Sequence, residues 1–323
     1  MKRHYLILSF LFFTLLTRAQ NLVPNYSFEL YSSCPNNGDQ LNYAIPWYSP
    51  TTATPDYFNT CGSGGYGAPL NIWGYQNAKT GNGYGQIAVY GSITTSIREY
   101  LQIALSDTLV QGKLYCISFY VSQAGISYYS AHNPIAITEI GLLLSNTAVS
   151  SSNDQPLPYT PQIVSPVGTF ITDTVQWVEI SGLYTALGGE KYLTIGNFKD
   201  DASTDTVFIA NSGINPQGYY YVDDVSIIDC DSLVGLNEEL ANQFFTLFPN
   251  PNSGNMTLKY NLLPTDKAFI DIFDLTGKLS KSIFLPSERD KIDLSGNFPA
   301  GMYFYRVIVN DRLILSNKLA IIR

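Results

Sequence analysis

The stretch Leu114-Tyr-Cys-Ile-Ser-Phe-Tyr-Val-Ser122 alternates between two sets of side chains. One set is Tyr115, Ile117, Phe119 and Val121, and the other is Cys116, Ser118, Tyr120 and Ser122. A period of two is that of a β-strand with one face in a core. Comparable signals occur at Arg98–Leu105, Ile137–Leu144, Trp177–Tyr184, Tyr192–Phe198 and Tyr219–Ile228. About eight strands over roughly 210 residues, without a convincing amphipathic helix, predict an all-β fold: a jelly-roll β-sandwich, then a small second β-sandwich.

The composition also favours an exported β-protein. Only 14 % of the residues are charged, whereas 24 are Tyr and 17 are Phe, as in extracellular all-β proteins. The formal net charge is −8. A chain this acidic repels phosphate backbones, so we expect no nucleic-acid partner.

The N-terminal residues 1–19 have the pattern of a secretory signal peptide. Lys2 and Arg3 precede an apolar run from Leu6 to Leu16, and Thr17-Arg-Ala19 provides small residues before a cleavage site. No other stretch approaches the ~18 apolar residues of a transmembrane helix, so the mature chain is predicted to lack a membrane span. We therefore expect export to the periplasm and cleavage after Ala19.

Four cysteines remain after that cleavage, and in an oxidising compartment they can pair in three ways. We favour a Cys34–Cys61 disulfide, because both cysteines lie in a region rich in Gly, Asn and Pro that would otherwise be loose. Cys116–Cys230 follows by elimination.

No recognisable catalytic motif is present, and we predict that the protein is not an enzyme. His132 is the single histidine of the mature chain, and its surroundings indicate a surface turn. The chain has no Gly-x-Ser-x-Gly elbow, no His-Glu-x-x-His sequence and no phosphate-binding loop. Paired carboxylates could still hydrolyse a glycan, but the candidates are scattered along the sequence. They are Glu29, Glu99, Glu139, Glu179 and Glu190.

Four blocks near the C-terminus carry a resemblance to a known family. They are Leu247-Phe-Pro-Asn-Pro-Asn-Ser-Gly254, Ile270-Asp-Ile-Phe-Asp-Leu-Thr-Gly-Lys278, Asp293-Leu-Ser-Gly-Asn-Phe-Pro-Ala-Gly-Met-Tyr303 and Lys318-Leu-Ala-Ile-Ile-Arg323. In this order and spacing they resemble the type A C-terminal sorting domain of cargo of the type IX secretion system. The resemblance implies a sorting domain at residues 245–323, a linker at 232–244 and the type IX machinery as partner. It also implies that the protein is secreted or held at the outer-membrane surface.

A second resemblance covers residues 20–231, here called the passenger. Its opening, Asn21-Leu-Val-Pro-Asn-Tyr-Ser-Phe-Glu29, and its closing, Tyr219-Tyr-Tyr-Val-Asp-Asp-Val-Ser-Ile227, look like the first and last strands of galactose-binding-like jelly rolls. That group includes many carbohydrate-binding modules. The resemblance implies that Glu29, Asp223 and Asp224 hold a structural Ca²⁺, since calcium prefers hard oxygen ligands. The alternative is that these acids bond to backbone amides at a strand end.

Aromatic residues are concentrated between residues 43 and 100. Sugars pack their C–H faces on flat rings, while their hydroxyls seek polar side chains. The predicted ligand-binding residues are Trp47, Tyr57, Trp73, Tyr75 and Tyr84. The alternative is that these rings fill the sandwich core.

These observations predict an exported, non-catalytic binding or adhesion protein at the cell surface or outside the cell, with a glycan as the ligand class. One alternative is a glycan hydrolase that uses paired carboxylates. The other is a purely structural envelope protein.

Overall fold

The computed structural model describes most of the chain, and its fold is all-β, as predicted. The described residues are 20–91, 96–125, 132–166, 168–209, 215–230, 244–262, 266–287, 289–294, 296 and 298–322. The predicted signal peptide, residues 1–19, lies outside them, as does the predicted linker except for Phe244.

Thirteen strands of the described residues belong to the passenger. They are β1 (Asp56–Asn59), β2 (Leu70–Asn71), β3 (Gly74–Tyr75), β4 (Gly83–Tyr90), β5 (Leu101–Ala104), β6 (Leu114–Gln123), β7 (His132–Ile137), β8 (Gly141–Ser145), β9 (Ile163–Val164), β10 (Val178–Thr185), β11 (Tyr192–Gly196), β12 (Thr206–Phe208) and β13 (Asn215–Asp229). Short 3-10 turns occupy Leu41–Tyr43 and Asp201–Ser203.

The passenger strands form two main sheets that enclose one core. The larger sheet has the order β1-β4-β13-β6-β10, with β7 attached to β13 and β12 attached to β7. The smaller sheet has the order β5-β11-β8-β9. The predicted apolar face of β6, from Tyr115 to Val121, lies in this core. Alternation in the sequence therefore identified the inner face of a central strand.

The two ends of the passenger pair with each other. Leu22 donates its amide hydrogen to the Ile227 carbonyl at 2.8 Å. The Asn21 side chain donates to the Val225 carbonyl and accepts from the Ile227 amide. The first residues after the predicted cleavage site thus lie along β13.

Strand β4 corrects the sequence prediction. Residues 80–85 had the composition of a turn, yet the chain becomes a strand at Gly83 and continues to Tyr90 between β1 and β13. A Cβ atom at Gly85 would lie 2.9 Å from Leu101 and 3.1 Å from the Phe28 ring, so the close packing requires glycine there. The predicted strand Ile137–Leu144 also divides, into β7 and β8, which belong to different sheets.

The C-terminal region forms a separate pair of sheets. Its strands are β14 (Phe245–Phe248), β15 (Thr257–Tyr260), β16 (Ala268–Asp274), β17 (Leu279–Leu285), β18 (Lys291–Asp293), β19 (Gly301–Val309) and β20 (Arg312–Ile321). The sheet orders are β14-β15-β18 and β17-β16-β19-β20. Their core also contacts Leu114 and Leu183 of the passenger.

Both predicted disulfides are confirmed. Cys34 bonds to Cys61 with a Cα–Cα distance of 5.5 Å. Cys116 of β6 bonds to Cys230, which directly follows β13, with a Cα–Cα distance of 5.3 Å.

Candidate functional site

The larger sheet has a second aromatic surface on the side away from the sandwich core, here called the outer face. Phe58, Tyr84 and Tyr221 are buried together there, with Trp73 and Tyr219 packed against them. Alternate residues of β4, such as Ile87, point into the sandwich core instead. The ladder places Asp56 of β1 opposite Gln86 of β4, and Gln86 opposite Tyr221 of β13.

Trp73 covers one end of the outer face. It lies between β2 and β3, and its indole Nε1 donates to Oδ2 of Asp56 at 3.1 Å. Its ring stacks on Tyr219, with 4.1 Å between the ring centroids and 25° between the planes. The Asn71 side chain holds this segment down, because it accepts from the Tyr221 hydroxyl and donates to the Tyr84 hydroxyl.

Asp56 is a buried carboxylate with both oxygens in use. Oδ2 accepts from Trp73, and Oδ1 accepts from the Asp39 amide at 2.9 Å. The side chain is 5 % exposed. Burial raises the pKa of Asp56 to about 6, against the opposing effect of these hydrogen bonds.

Glu99 is a second buried carboxylate beside Asp56. Its amide donates to the Ala88 carbonyl at 2.8 Å, and its Oε2 accepts from the Ala88 amide at 2.8 Å. It therefore occupies the edge of β4 beyond the end of β1. Burial, and then the nearby charge of Asp56, raise the pKa of Glu99 to about 8. Both carboxyl groups therefore hold a proton more tightly than an exposed carboxyl group does.

Gln86 of β4 is opposite Asp56 on one side and opposite Tyr221 on the other. The residue is 1 % exposed, and its Nε2 makes no hydrogen bond to any described residue. The next residue on the same face of β4 is the small Ala88, which pairs with Tyr219. A buried donor without a partner is costly, because it has lost its water and gained no acceptor.

Together these groups form what we call the acidic pocket: Asp56, Gln86, Glu99, Trp73 and Tyr219. Its carboxylates can accept from hydroxyl groups, and the Gln86 amide can donate to an oxygen. The stacked Trp73 and Tyr219 rings provide a flat apolar wall. The combination suits a small ligand rich in hydroxyl groups.

The structure separates the five predicted ligand-binding residues into two groups. Trp47, Tyr57 and Tyr84 are at most 1 % exposed, so in this structure their rings are buried rather than open to a sugar. Trp47 stacks on Phe28, and the Tyr57 hydroxyl donates to the Phe28 carbonyl. Trp73 belongs to the acidic pocket, and Tyr75 of β3 is 61 % exposed.

Sequence reasoning missed the other members of the pocket. Glu99 had been considered only as one of several scattered carboxylates, and Asp56 and Gln86 had not been considered. The period-two alternation of β13 could have placed Tyr219 and Tyr221 on one face. Nothing in the sequence around Asp56 showed that a distant indole would cover it.

Of the remaining candidate acids, Glu139 and Glu190 have structural partners, whereas the buried Oε1 of Glu179 makes no hydrogen bond to any described residue. Glu139 forms an ion pair with Lys199 at 2.7 Å. Glu190 accepts from the Tyr184 hydroxyl and from the amides of Leu187 and Gly188. His132 lies in β7.

The acids predicted to bind calcium all bond to one turn. Glu29 Oε1 accepts from the amides of Asn82 and Gly83 at 2.6 and 2.9 Å. Asp223 Oδ2 accepts from the amides of Lys79 and Thr80, and Asp224 Oδ1 accepts from the Thr80 hydroxyl. Burial, and then the charge of Asp224, raise the pKa of Asp223 well above its usual value.

This arrangement does not fit a three-carboxylate calcium site. Amide N–H groups, which repel a cation, face oxygens of Glu29 and Asp223. Among the described residues, no group of three or more His, Cys, Asp or Glu side chains could hold a metal ion. Calcium binding stays a prediction for experiment.

Residues 246–322 match the protein family described as a secretion system C-terminal sorting domain. The C-terminal domain is a type IX sorting domain. It marks the protein as cargo of the type IX secretion machinery, exported to the cell surface or secreted. Within the part of the chain that the structure describes, no helix is both long and apolar enough to span a membrane.

Comparison of the whole chain with known proteins adds little. No curated protein matches it. Domains 3 and 4 of rat CD4 align over 69 % of this chain and 94 % of theirs, at 8 % identity and a TM-score of 0.19. A β-1,2-glucanase from Parabacteroides distasonis aligns over 76 % of this chain and 33 % of its own, at 10 % identity and a TM-score of 0.21. A glycosyl hydrolase family 2 member from Bacteroides cellulosilyticus aligns over 69 % and 28 %, at 13 % identity and a TM-score of 0.19. The chain thus spans about a third of the length of these two hydrolases.

Proposed function

We propose that the protein is an exported, non-catalytic binding module that holds a glycan in the acidic pocket. The observation that carries the proposal is the unpartnered, buried Nε2 of Gln86 opposite Asp56, next to the Trp73–Tyr219 stack. Because Asp56, Gln86 and Glu99 are at most 8 % exposed in the free protein, the proposal includes that Trp73 moves off Asp56 when the sugar enters. A sugar offers hydroxyl donors for the acids, an oxygen acceptor for Gln86 and C–H groups for the ring wall.

We propose that the scaffold of this site is a galactose-binding-like jelly roll. We also propose that an N-terminal signal peptide directs the chain to the periplasm. The pairing of residues 21–22 with Ile227 supports the jelly roll, because the opening and closing segments of that fold are expected to be neighbours.

A glycan array probed with the exported protein tests the proposal. We expect binding that Trp73→Ala weakens at least tenfold, equivalent to ~1.4 kcal/mol. Tyr159→Ala is a matched control, because Tyr159 is 47 % exposed and lies near the smaller sheet, before β9. An array without any bound glycan would contradict the proposal and favour a structural envelope role.

Hydrolysis of a glycan is the second candidate, and the juxtaposition of Asp56 and Glu99 favours it. A protonated Glu99 could act as general acid while the ionised Asp56 acts as the second carboxylate. The two candidates separate in an assay for released reducing sugar. If the native protein releases reducing sugar while Glu99→Gln binds the glycan but releases none, the function is catalysis rather than binding alone.

A further inference from the structure

The four-stranded sheet of the sorting domain is apolar on both faces. One face, with residues such as Ile270, Ile272 and Val307, is buried in the domain core. The opposite face also carries large apolar side chains, and six of them are 39–54 % exposed. They are Phe269, Leu279, Phe284, Met302, Phe304 and Leu313. We call this opposite surface the sorting face.

The strand register arranges the sorting face in rows. Phe284, Phe269, Ile308 and Leu313 stand side by side across β17, β16, β19 and β20 and form the first row. The Phe269 and Phe284 rings are in contact, with 5.4 Å between their centroids. Four neighbouring strands thus present one continuous apolar ridge, ~14 Å wide at the usual strand spacing.

A polar row and a second apolar row follow. Arg306 and Asp271 are opposite one another in the polar row and form an ion pair with an Nη2–Oδ2 distance of 3.0 Å. The Arg306 guanidinium also lies 4.7 Å from the centre of the Phe273 ring. Phe273 and Phe304 stand side by side in the second apolar row.

Nothing else in the described part of the chain covers this surface. The passenger contacts the sorting domain through Leu114 and Leu183, within the cluster that contains the buried face of the sheet. The six exposed side chains are outside that cluster. Contiguous exposed apolar patches on soluble proteins usually mark interaction sites.

The charges on the sorting face indicate what kind of surface it meets. The Arg306 side chain is 47 % exposed, whereas its partner Asp271 is only 11 % exposed. The exposed Lys318 adds a second positive charge opposite Phe304. Asp271 balances Arg306, so Lys318 leaves the face with a small net positive charge, although the chain has a net charge of −8. That charge disfavours a symmetric pairing of two copies through this face, since it would bring like charges together.

We propose that the sorting face is the surface by which this cargo docks on the type IX secretion machinery. The partner surface is apolar and has acidic groups placed against Arg306 and Lys318. Charge attraction orients the encounter, and burial of the phenylalanines stabilises the complex.

The test uses the full chain in cells with an intact secretion system. The double variant Phe269→Ser/Phe304→Ser removes one ring from each apolar row. We expect the extracellular fraction to fall at least tenfold, while folded protein accumulates inside the cell. Leu275→Ser is the matched control, because Leu275 is 66 % exposed in the turn between β16 and β17 and lies off the face. It should be exported normally.

A charge variant keeps the proposal falsifiable if the double variant does not fold. Arg306→Glu should reduce export, and Arg306→Lys should retain most of it. Normal export of a folded double variant, or of Arg306→Glu, would overturn the proposal. So would a purified dimer that the double variant dissociates without any loss of export, because the face would then serve self-association.

Discussion

Asp56 and Gln86 face each other across the β1–β4 ladder, yet the amide nitrogen of Gln86 makes no hydrogen bond to the carboxylate. Asp56 already accepts from the Asp39 amide and the Trp73 indole. Because both carboxylate oxygens of Asp56 already accept hydrogen bonds, the Gln86 amide is left as a buried donor without an acceptor. Such a group destabilises the free protein and becomes an advantage when a ligand supplies the missing oxygen.

Replacing Gln86 by Met should therefore stabilise the protein and weaken ligand binding. Loss of the unsatisfied donor should increase the free energy of unfolding by about 1 kcal/mol. Thermal unfolding and a binding titration measure the two effects. Gln76→Met is the matched control, because the Gln76 amide donates to the Ser122 hydroxyl, and its loss should destabilise the protein. A fall in melting temperature for Gln86→Met would show that its amide is satisfied in solution.

Stability should decrease as the pH rises from about 4 to about 8. Folding raises the pKa of Asp56 to about 6 and that of Glu99 to about 8, so the folded state binds more protons than the unfolded state over this range. The stabilisation is complete at low pH and is lost as the pH rises through these two values. Melting temperatures measured across the range should show a steep decrease.

The Glu99→Gln variant should flatten that decrease, since the glutamine cannot lose a proton. Glu139→Gln, which removes a carboxylate paired with Lys199, is the matched control. Equal slopes for the native protein and Glu99→Gln would mean that Glu99 is not buried as described.

Glu29→Gln should lower the free energy of unfolding by about 1 kcal/mol, because a neutral acceptor binds the Asn82 and Gly83 amides less strongly than a carboxylate. The loss should be the same in excess calcium and in chelator, as measured by thermal melting. A calcium-dependent melting temperature in the native protein, absent from Glu29→Gln and Asp223→Asn, would instead support the predicted calcium site.

Removing the Cys34–Cys61 disulfide as a double serine variant should cost ~3 kcal/mol of stability, mainly because the unfolded chain gains freedom. The cross-link closes a separation of 27 residues. Denaturant unfolding measures the loss, and peptide mapping without reductant checks the pairing in the exported protein. Free thiols at both positions, or Cys34 joined to another cysteine, would contradict it.

Regular patterns in the sequence predicted the parts of the fold that depend on local chemistry. Alternation along β6 placed residues 115–121 in the core, because sheet side chains have a strict period of two. Strand β4 escaped detection, since Gly83 and Gly85 suggest a turn unless the close approach of the Phe28 ring is known.

The candidate site depended on contacts distant in sequence and was predicted only in part. Trp47 and Trp73 look alike as isolated tryptophans in a polar segment. One packs on Phe28 inside the sandwich, and the other crosses the outer face to reach Asp56. Which of these occurs is decided by the path of the chain between strands, and neither composition nor spacing records that path.

The Cys116–Cys230 bond has a mechanical consequence. Cys230 is the residue through which any tension on the sorting domain would enter the passenger. Without the disulfide, such a force would separate β13 from its neighbouring strands one hydrogen-bonded pair at a time. The bond diverts part of the load into β6, which is paired on both sides, by β13 and by β10. Two strands that bear a force together separate only by sliding past their neighbours, and not by losing one hydrogen-bonded pair after another. The passenger is therefore expected to stay folded when a force acts on the sorting domain.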